Sequence, residues 1–456
     1  MKTLAIIAVI ICCVLMFFLK REYKASIMIM GTILFTLVSV PIVPLHNANI
    51  LLPLCFLISE MQNISILIQS AKRSVVWKLL GLSLMSAVLT IFFSAHLHEI
   101  NSVCLFLQTE LFFKYFALLY AFWAYSSDES IMPTLKVTFY AMIVLTLFGI
   151  MNYITKTAEF VSALTTGIER TGISESGVDA GKYFLNSERF RVQSLFLNPF
   201  DYGYICVLMF LLHLYGYINK YERKIVFVIV ALCCIFGIVS CGCRTNIFCW
   251  LVGFSVYFLL AYRLEKTIRL SFIIILSFAL VYIFVPFAQD VVNHMMTMFD
   301  KNSNVQGSSL ELRSVQYAAV LFHVKNNLLF GCGYHYFLID MGWGQGLEYL
   351  ADSRLAGLEG VALAYILERG FVGLFLYFAF YLLAIFYLFK NRKIVPQTCA
   401  LGIAVLCVYL SFANMTGNLL SVYPTLLLLG YVFKVVDCKK ENIVNTEYNE
   451  NLLEDS

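Results

Sequence analysis

Apolar residues run along this chain in long unbroken stretches, and polar residues are confined to the gaps between them. That is neither the alternation of a half-buried strand nor the one-sided stripe of a soluble helix. Crossing a bilayer takes about 20 apolar residues in a row. Stretches of that kind fall at 3–19, 25–45, 50–69, 76–96, 102–125, 134–154, 199–218, 225–240, 245–262, 270–288, 361–389, 396–413 and 418–436. The pattern predicts an all-α polytopic membrane protein of about 13 transmembrane helices, forming a single transmembrane domain over 1–436. The stretch 50–69 holds Glu60 and Gln62 and is the least regular. The first stretch is followed by "KREYK" and another apolar run, without a small-residue cleavage site. It reads as a retained span rather than a removed signal peptide.

The gaps alternate in charge. Lys20, Arg21 and Lys24; Lys72, Arg73 and Lys78; Lys220, Arg223 and Lys224; Arg263, Lys266 and Arg269; Lys390, Arg392 and Lys393; and Lys439 and Lys440 fall in alternate connections. The short connections between them ("HNAN", "HLHEINS", "NMTGN") hold no Lys or Arg, and "CGCRT" holds one. Cytoplasmic loops concentrate Lys and Arg, so the C-terminus is expected in the cytoplasm and, with an odd number of spans, the N-terminus outside. Two long connections, 155–198 and 289–360, then fall outside the membrane as extracytoplasmic loops. Loops of that length usually carry function.

The second loop contains "SLELRSVQYAAVLFHVKNN", whose apolar residues recur at helical spacing. Ser308 or Ser309 is placed to cap this amphipathic helix, with Glu311 in its first turn. "GCGYHYF" reads as a turn, because Gly331 and Gly333 permit backbone angles that other residues avoid. The polar, acidic stretch 437–456 reads as a disordered cytoplasmic tail.

Composition agrees. The chain is 61% hydrophobic and 13% charged, so the bilayer is the solvent for most of it. The net charge of +4 does not point to nucleic acid, because the bases sit in short clusters between spans, where topology accounts for them. Of the 14 cysteines, most lie inside apolar runs and act as small hydrophobes. Cys241 and Cys243 have no matching pair elsewhere, so neither a metal site nor a disulfide is expected.

Candidate chemistry gathers on the predicted outer side. The first long loop offers Arg170, Lys182, Arg189 and Arg191; the short turn offers Arg244; the second loop offers Arg313, His323, Lys325, His335, Asp340, Glu348, Asp352, Arg354 and Glu359. Taken singly, each is a solvated loop charge. Arg191, Arg244 and Arg313, however, each stand beside the start or end of an apolar helix and can converge where the loops fold over the membrane. A guanidinium presents a planar fork of donors to phosphate oxygens, and several together suit a diphosphate carried on a lipid. In "RFRVQSLFLNPFDYGYI", Pro199 fits the first position of a helix and Asn198 its cap. This is either a neatly capped span or, with the arginines, an anion site at a helix start. Glu110 and Lys114, four apart within an apolar run, form either a functional pair or a neutralised structural one. No GxxxxGK[ST], DxD or HExxH pattern occurs. No cofactor or metal is expected, and energy for a reaction must arrive with the substrate.

The motifs, taken in order, resemble the O-antigen polymerase and O-antigen ligase superfamily of bacterial polysaccharide assembly over about 190–390. "RVQSLFLNPFDYGYI" is similar to the family's Arg-then-NPN helix start, and "GIVSCGCRTNIFCWLVG" to its S-x-SR junction, with Arg244 as the arginine. "LRSVQYAAVLFHVKNNLLFGCGYHYF" is similar to its R-x-x-x-W…P-x-x-G-x-G-x-x-x-F loop through Arg313, Gly331, Gly333 and Phe337, with Tyr317 and Asn327 standing for Trp and Pro. "LEGVALAYILERGFVGLFLYF" is similar to its HN-x-x-L-x-x-L-x-E-x-G-x-x-G helix through Glu368, Gly370 and Gly373. Glu359 and Gly360 stand where the family's ligases have His and Asn.

The resemblance implies a membrane glycosyltransferase C-like fold in the bacterial cytoplasmic (inner) membrane. It also implies an undecaprenyl-diphosphate-linked oligosaccharide donor and metal-independent catalysis on the outer face. The leading expectation is a polymerase of polysaccharide repeat units for O-antigen, capsule or exopolysaccharide. Arg191, Arg244 and Arg313 would hold the diphosphate, with Arg313 also stabilising the leaving group and Glu359 the candidate base. Arg189, His335, Glu110 and Lys114 are secondary candidates. The partners implied are the lipid-linked oligosaccharide, membrane lipid and a chain-length regulator, with no nucleic acid. The alternatives are a ligase that transfers glycan to lipid A core and, from a different class, a flippase or transporter of lipid-linked glycan.

Overall fold

The computed structural model describes residues 2–35, 48–95, 116–157, 191–196, 198–262, 289, 310–334, 336, 351–355, 358, 360–416 and 422–454. Every regular element among them is helical. The N-terminal part comprises α1 (Lys2–Phe18), α2 (Arg21–Leu34), α3 (Ala48–Ser59), α4 (Ile64–Arg73), α5 (Val75–Phe93) and α6 (Phe116–Ala124). The middle comprises α7 (Met132–Thr155), α8 (Pro199–Ile218), α9 (Lys224–Ser240) and α10 (Arg244–Ala261). The remainder is α11 (Leu310–Val324), α12 (Val361–Lys390), α13 (Pro396–Thr416) and α14 (Val422–Glu454).

Six helical segments among the described residues are long and apolar enough to cross a membrane: α5, the segment Asp128–Thr155 that ends in α7, α8, α10, α12 and α13. A seventh is counted if the bent pair α3–α4 is one span, and α1 and α9 are apolar but shorter. The chain is thus a helical membrane protein. Part of the larger number expected from the sequence, including 270–288, lies outside the described residues.

Two stretches differ from expectation. The stretch 50–69 is not one straight helix but bends by 64° about Glu60. A short 3-10 turn, Met61–Asn63, interrupts the α-helical ladder there, and the buried Glu60 carboxylate is met by cations instead of lipid. The last helix does not stop near 436 but runs on to Glu454, through most of the stretch read as a disordered tail. That stretch contains no Gly or Pro, and extending an existing helix needs only one residue fixed per bond gained.

The most enclosed span is α8, 83% buried over its apolar window. Glycines let its neighbours close in: Gly203 lies against Asn246 of α10, and Gly237 of α9 against Cys206 and Tyr202. Ring and hydroxyl contacts set the directions. Tyr204 packs on Phe412 at 4.4 Å, and the Tyr215 hydroxyl reaches Thr398 at 3.1 Å, so α8 and α13 are antiparallel. Asn246 donates to the Phe200 carbonyl at 3.1 Å, and Gly253 packs against Leu211, so α8 and α10 are parallel. The starts of α8 and α10 and the end of α13 therefore share one end of the bundle.

That end also contains a broken helix. Within α12, Gly370 adopts φ 64° and ψ −167°, outside helical geometry. The freed backbone groups are taken up by residues 328–333. Phe371 and Val372 donate to the carbonyls of Leu328 and Leu329 at 3.0 Å each, while Cys332 and Gly333 donate to Leu367 and Glu368 at 2.8 and 2.9 Å. Beyond the break, 371–390 alone is long enough to span a bilayer. At the opposite end of the bundle, Lys24 and Arg21 of α2 meet Glu60 at 2.7 and 3.0 Å.

Candidate functional site

Asn198 and Pro199 start α8 as the sequence suggests. The Asn198 side chain accepts from the Asp201 amide at 2.8 Å, and Pro199 takes the first helical position, where its missing N–H costs nothing. The Asn198 amide also donates to the Asp201 carboxylate at 2.8 Å. A carboxylate thus already stands in the first turn, where the helix dipole favours negative charge. The start of α8 supplies its own anion and is not an open phosphate cradle.

The residues leading into α8 fold back into the bundle. Val192 donates to the Ser240 carbonyl at 3.1 Å, at the end of α9. Ser194, with φ 50°, donates to the carbonyl of Leu145 inside α7 at 2.7 Å. Val192, Gln193 and Ser194 are all buried. Arg191 is left half-buried at the lip of this tuck. Its side chain lies along the turn between α9 and α10, and Gly242, with φ 63°, has no Cβ to stand in its way.

Two residues after that glycine comes Arg244, the first residue of α10, within electrostatic range of Arg191. Arg313 of α11 donates to the carbonyl of Met415, near the end of α13, at 3.2 Å. Register relates the two places. Gly253 packs on Val408, and moving seven residues back along α10 and seven forward along antiparallel α13 brings Asn246 level with Met415. Neighbouring helix axes lie about 8–10 Å apart. The structure therefore brings Arg191 and Arg244 together and sets Arg313 at the same end of the bundle. Glu359, Arg189, His335, Glu110 and Lys114 lie outside the described residues, as do Arg170, Lys182, Asp340 and Glu348. Gly360 and Ala362 are seen, and the Ala362 amide donates to the Asn414 side chain at 3.2 Å, beside Met415.

Of the other polar groups described, His323, Asp352 and Arg354 were among the second-loop charges offered by the sequence, whereas Arg369 was not singled out. Arg369, one residue before the break in α12, is buried and stacks on the Tyr365 ring at 4.4 Å, with Tyr334 at 6.0 Å. Gly373 makes room for that side chain one turn further on. "ILERG" inside an apolar run was the visible signal, because a charge at membrane depth is a reason to look. On α11, His323 Nε2 lies 3.0 Å from Asp352, its Nδ1 lies 3.3 Å from the Tyr336 hydroxyl, and Arg354 grips Asp352 at 2.7 and 2.9 Å. The Arg354 guanidinium, with His323 behind it, holds the Asp352 carboxyl well below the usual carboxylate range.

Among the described residues no cluster of His, Cys, Asp and Glu is arranged to hold a metal ion. Cys241 and Cys243 are buried and donate to the carbonyls of Ile238 and Cys241 at 3.1 and 3.2 Å. An apolar groove of about 550 Å³ between α1 and α3, lined by Val9, Cys13, Phe17, Leu51 and Cys55, lies on other helices than those carrying the arginines. Comparison with protein-family models finds no match to this chain, and neither does comparison with curated protein sequences.

Chemically, two guanidiniums within electrostatic range of each other favour an anion nearby. A group with charge spread over several oxygens satisfies both forks at once. The arrangement suits binding of such a group where the helices end, and stabilisation of charge that grows on it.

Proposed function

We propose that this protein is a metal-independent membrane glycosyltransferase, a polymerase of polysaccharide repeat units delivered on undecaprenyl diphosphate. A growing glycan on one lipid diphosphate would pass to the terminal sugar of a second lipid-linked unit, on the outer face of a bacterial cytoplasmic membrane. The observation that carries this reading is the pairing of Arg191 with Arg244 across the Gly242 turn, with Arg313 at the same end of the bundle. In this reading these arginines hold the donor diphosphate and stabilise the leaving group, and Glu359 takes the proton of the attacking hydroxyl. The four motifs that resemble, in order, those of the O-antigen polymerase and ligase superfamily support the same reading.

The deciding experiment is the glycan profile of a deletion strain. A polymerase leaves single repeat units behind when lost, whereas a ligase leaves full-length polymer stranded on its carrier lipid. Unchanged glycan would end both readings.

A carrier of lipid-linked glycan is the second reading, favoured by the buried Lys24–Glu60 pair at a bent helix. Interrupted helices with intramembrane charges are common in transporters. Purified protein supplied with lipid-linked repeat units separates the two, because a carrier forms no new glycosidic bond.

A further inference from the structure

Helix α11 is fastened at both ends to the same end of the bundle. Near its start, Arg313 donates to Met415, one residue short of the end of α13. Just beyond its end, Asn327 donates to the carbonyl of Phe93, the last residue of α5, at 2.9 Å. A helix of 15 residues is about 22 Å long. It is held between the last residues of two candidate spans.

One face of α11 is accounted for. Ala319, Val320 and Val324 are buried against Leu363, Ile366 and Leu367 in the first part of α12. The opposite face is exposed and mostly apolar: Val315, Ala318, Leu321 and Phe322 carry it, with Ser314 among them (Phe322 is 53% exposed), and Leu329, 59% exposed, continues it past the helix end. This surface does not stop at α11. Phe330 stacks on Phe93 with ring centroids 5.0 Å apart, and the neighbouring Phe92 is 70% exposed on a span whose outward side chains face lipid. The apolar face of α11 is therefore continuous with a surface that hydrocarbon covers.

Cations mark its rim. The Lys325 ammonium stands 4.4 Å from the centre of the Phe322 ring, and the Arg354 guanidinium 5.5 Å. Long basic side chains lay their stems on apolar surface and hold their charge at phosphate level. An apolar face with flanking aromatic and basic residues is the composition of a helix that lies in the membrane interface.

We propose that α11 is an interfacial helix, with its Val315–Leu321–Phe322–Leu329 face seated among the acyl chains of the leaflet at this end of the bundle and Lys325 and Arg354 at the level of the lipid phosphates. The seat fixes the depth of Arg313 as well. The inference stands apart from the polymerase reading, because it holds for a carrier equally well.

The test places a photoreactive benzophenone side chain at Phe322, and in separate variants at Leu321 and Leu329. The full-length protein is irradiated in nanodiscs of phosphatidylglycerol and phosphatidylethanolamine, and adducts are read by mass spectrometry. Leu382, exposed along the span half of α12, is the lipid-facing control, and buried Val324 is the protein-facing one. The expected result is lipid adducts at Phe322 and Leu329 at a yield within a few-fold of that at Leu382, and none at Val324. Adducts at Leu382 with none at all three test positions would overturn the proposal. Cross-linking at those positions to a second copy or to another protein would overturn it as well.

Discussion

Gly331 and Gly370 meet backbone to backbone: a Cβ on Gly331 would stand 2.5 Å from the Gly370 nitrogen. Both have positive φ, 72° and 64°, so an added methyl group strains the backbone as well as colliding with it. Gly370→Ala is therefore expected to lower stability by at least about 1–3 kcal/mol from backbone strain alone. Gly81, inside α5 with nothing within 4 Å of its missing Cβ, is the contrast. Gly81→Ala is expected to be neutral or to stabilise by up to about 1 kcal/mol. Thermal unfolding in detergent checks both, and equal effects of the two changes would contradict the stitched break.

Lys24 and Glu60 are 4% and 8% exposed and 2.7 Å apart, and Arg21, the second cation on Glu60, is far more exposed, so the buried pair cannot be broken cheaply. Lys24→Met or Glu60→Gln alone is expected to cost about 3–5 kcal/mol. The double change removes both charges and is expected to recover most of that loss. A double-mutant cycle on unfolding measures the coupling, and additive single effects would rule it out.

Arg191 and Arg244 act as a pair in the proposed reaction. Replacing either with alanine is expected to reduce long-chain polymer by on the order of 10²-fold or more, with protein level unchanged. Arg191→Lys should restore little, because an ammonium cannot offer a planar fork. Chain-length profiles from complemented deletion strains provide the readout. Normal polymer in both alanine variants would remove these residues from the site.

Asp352 carries the expected pH dependence. Its folded pKa is depressed by Arg354, so its stabilising effect is present above the ordinary carboxylate value of about 3.9 and is lost only as pH falls through the lower folded value. Amides of 353–355 should thus remain protected from hydrogen exchange at neutral pH and open only in acid below about pH 4. Asp352→Asn should expose them at pH 7. Unchanged protection in that variant would show that the ion pair does not hold the segment.

Much of this was legible in the sequence where the signal was local. Asn198 and Pro199 announce a helix start because the cap and the fixed φ lie within one turn. The helix at 310–324 follows from its apolar period, and Gly331 marks its turn. What could not be read depends on residues far apart. Nothing near Gly370 says that residues 328–333 will pair with the break, and nothing near Glu60 says that Lys24, 36 residues earlier, will neutralise it. Lys24 read as a topology charge, although in the fold it is buried. The placement of Arg191 beside Arg244 depends on a glycine turn whose close approach is visible only in three dimensions.

The four backbone bonds across the break in α12 close the chain into a ring through residues 334–366. Closing a longer ring costs little more entropy than closing a shorter one. The ring can therefore change length between its anchored points, among them Asp352 on His323 and Leu363 and Ile366 on α11, while the bonds at its base stay made. Evolution is left a region it can diversify, moored to one it cannot.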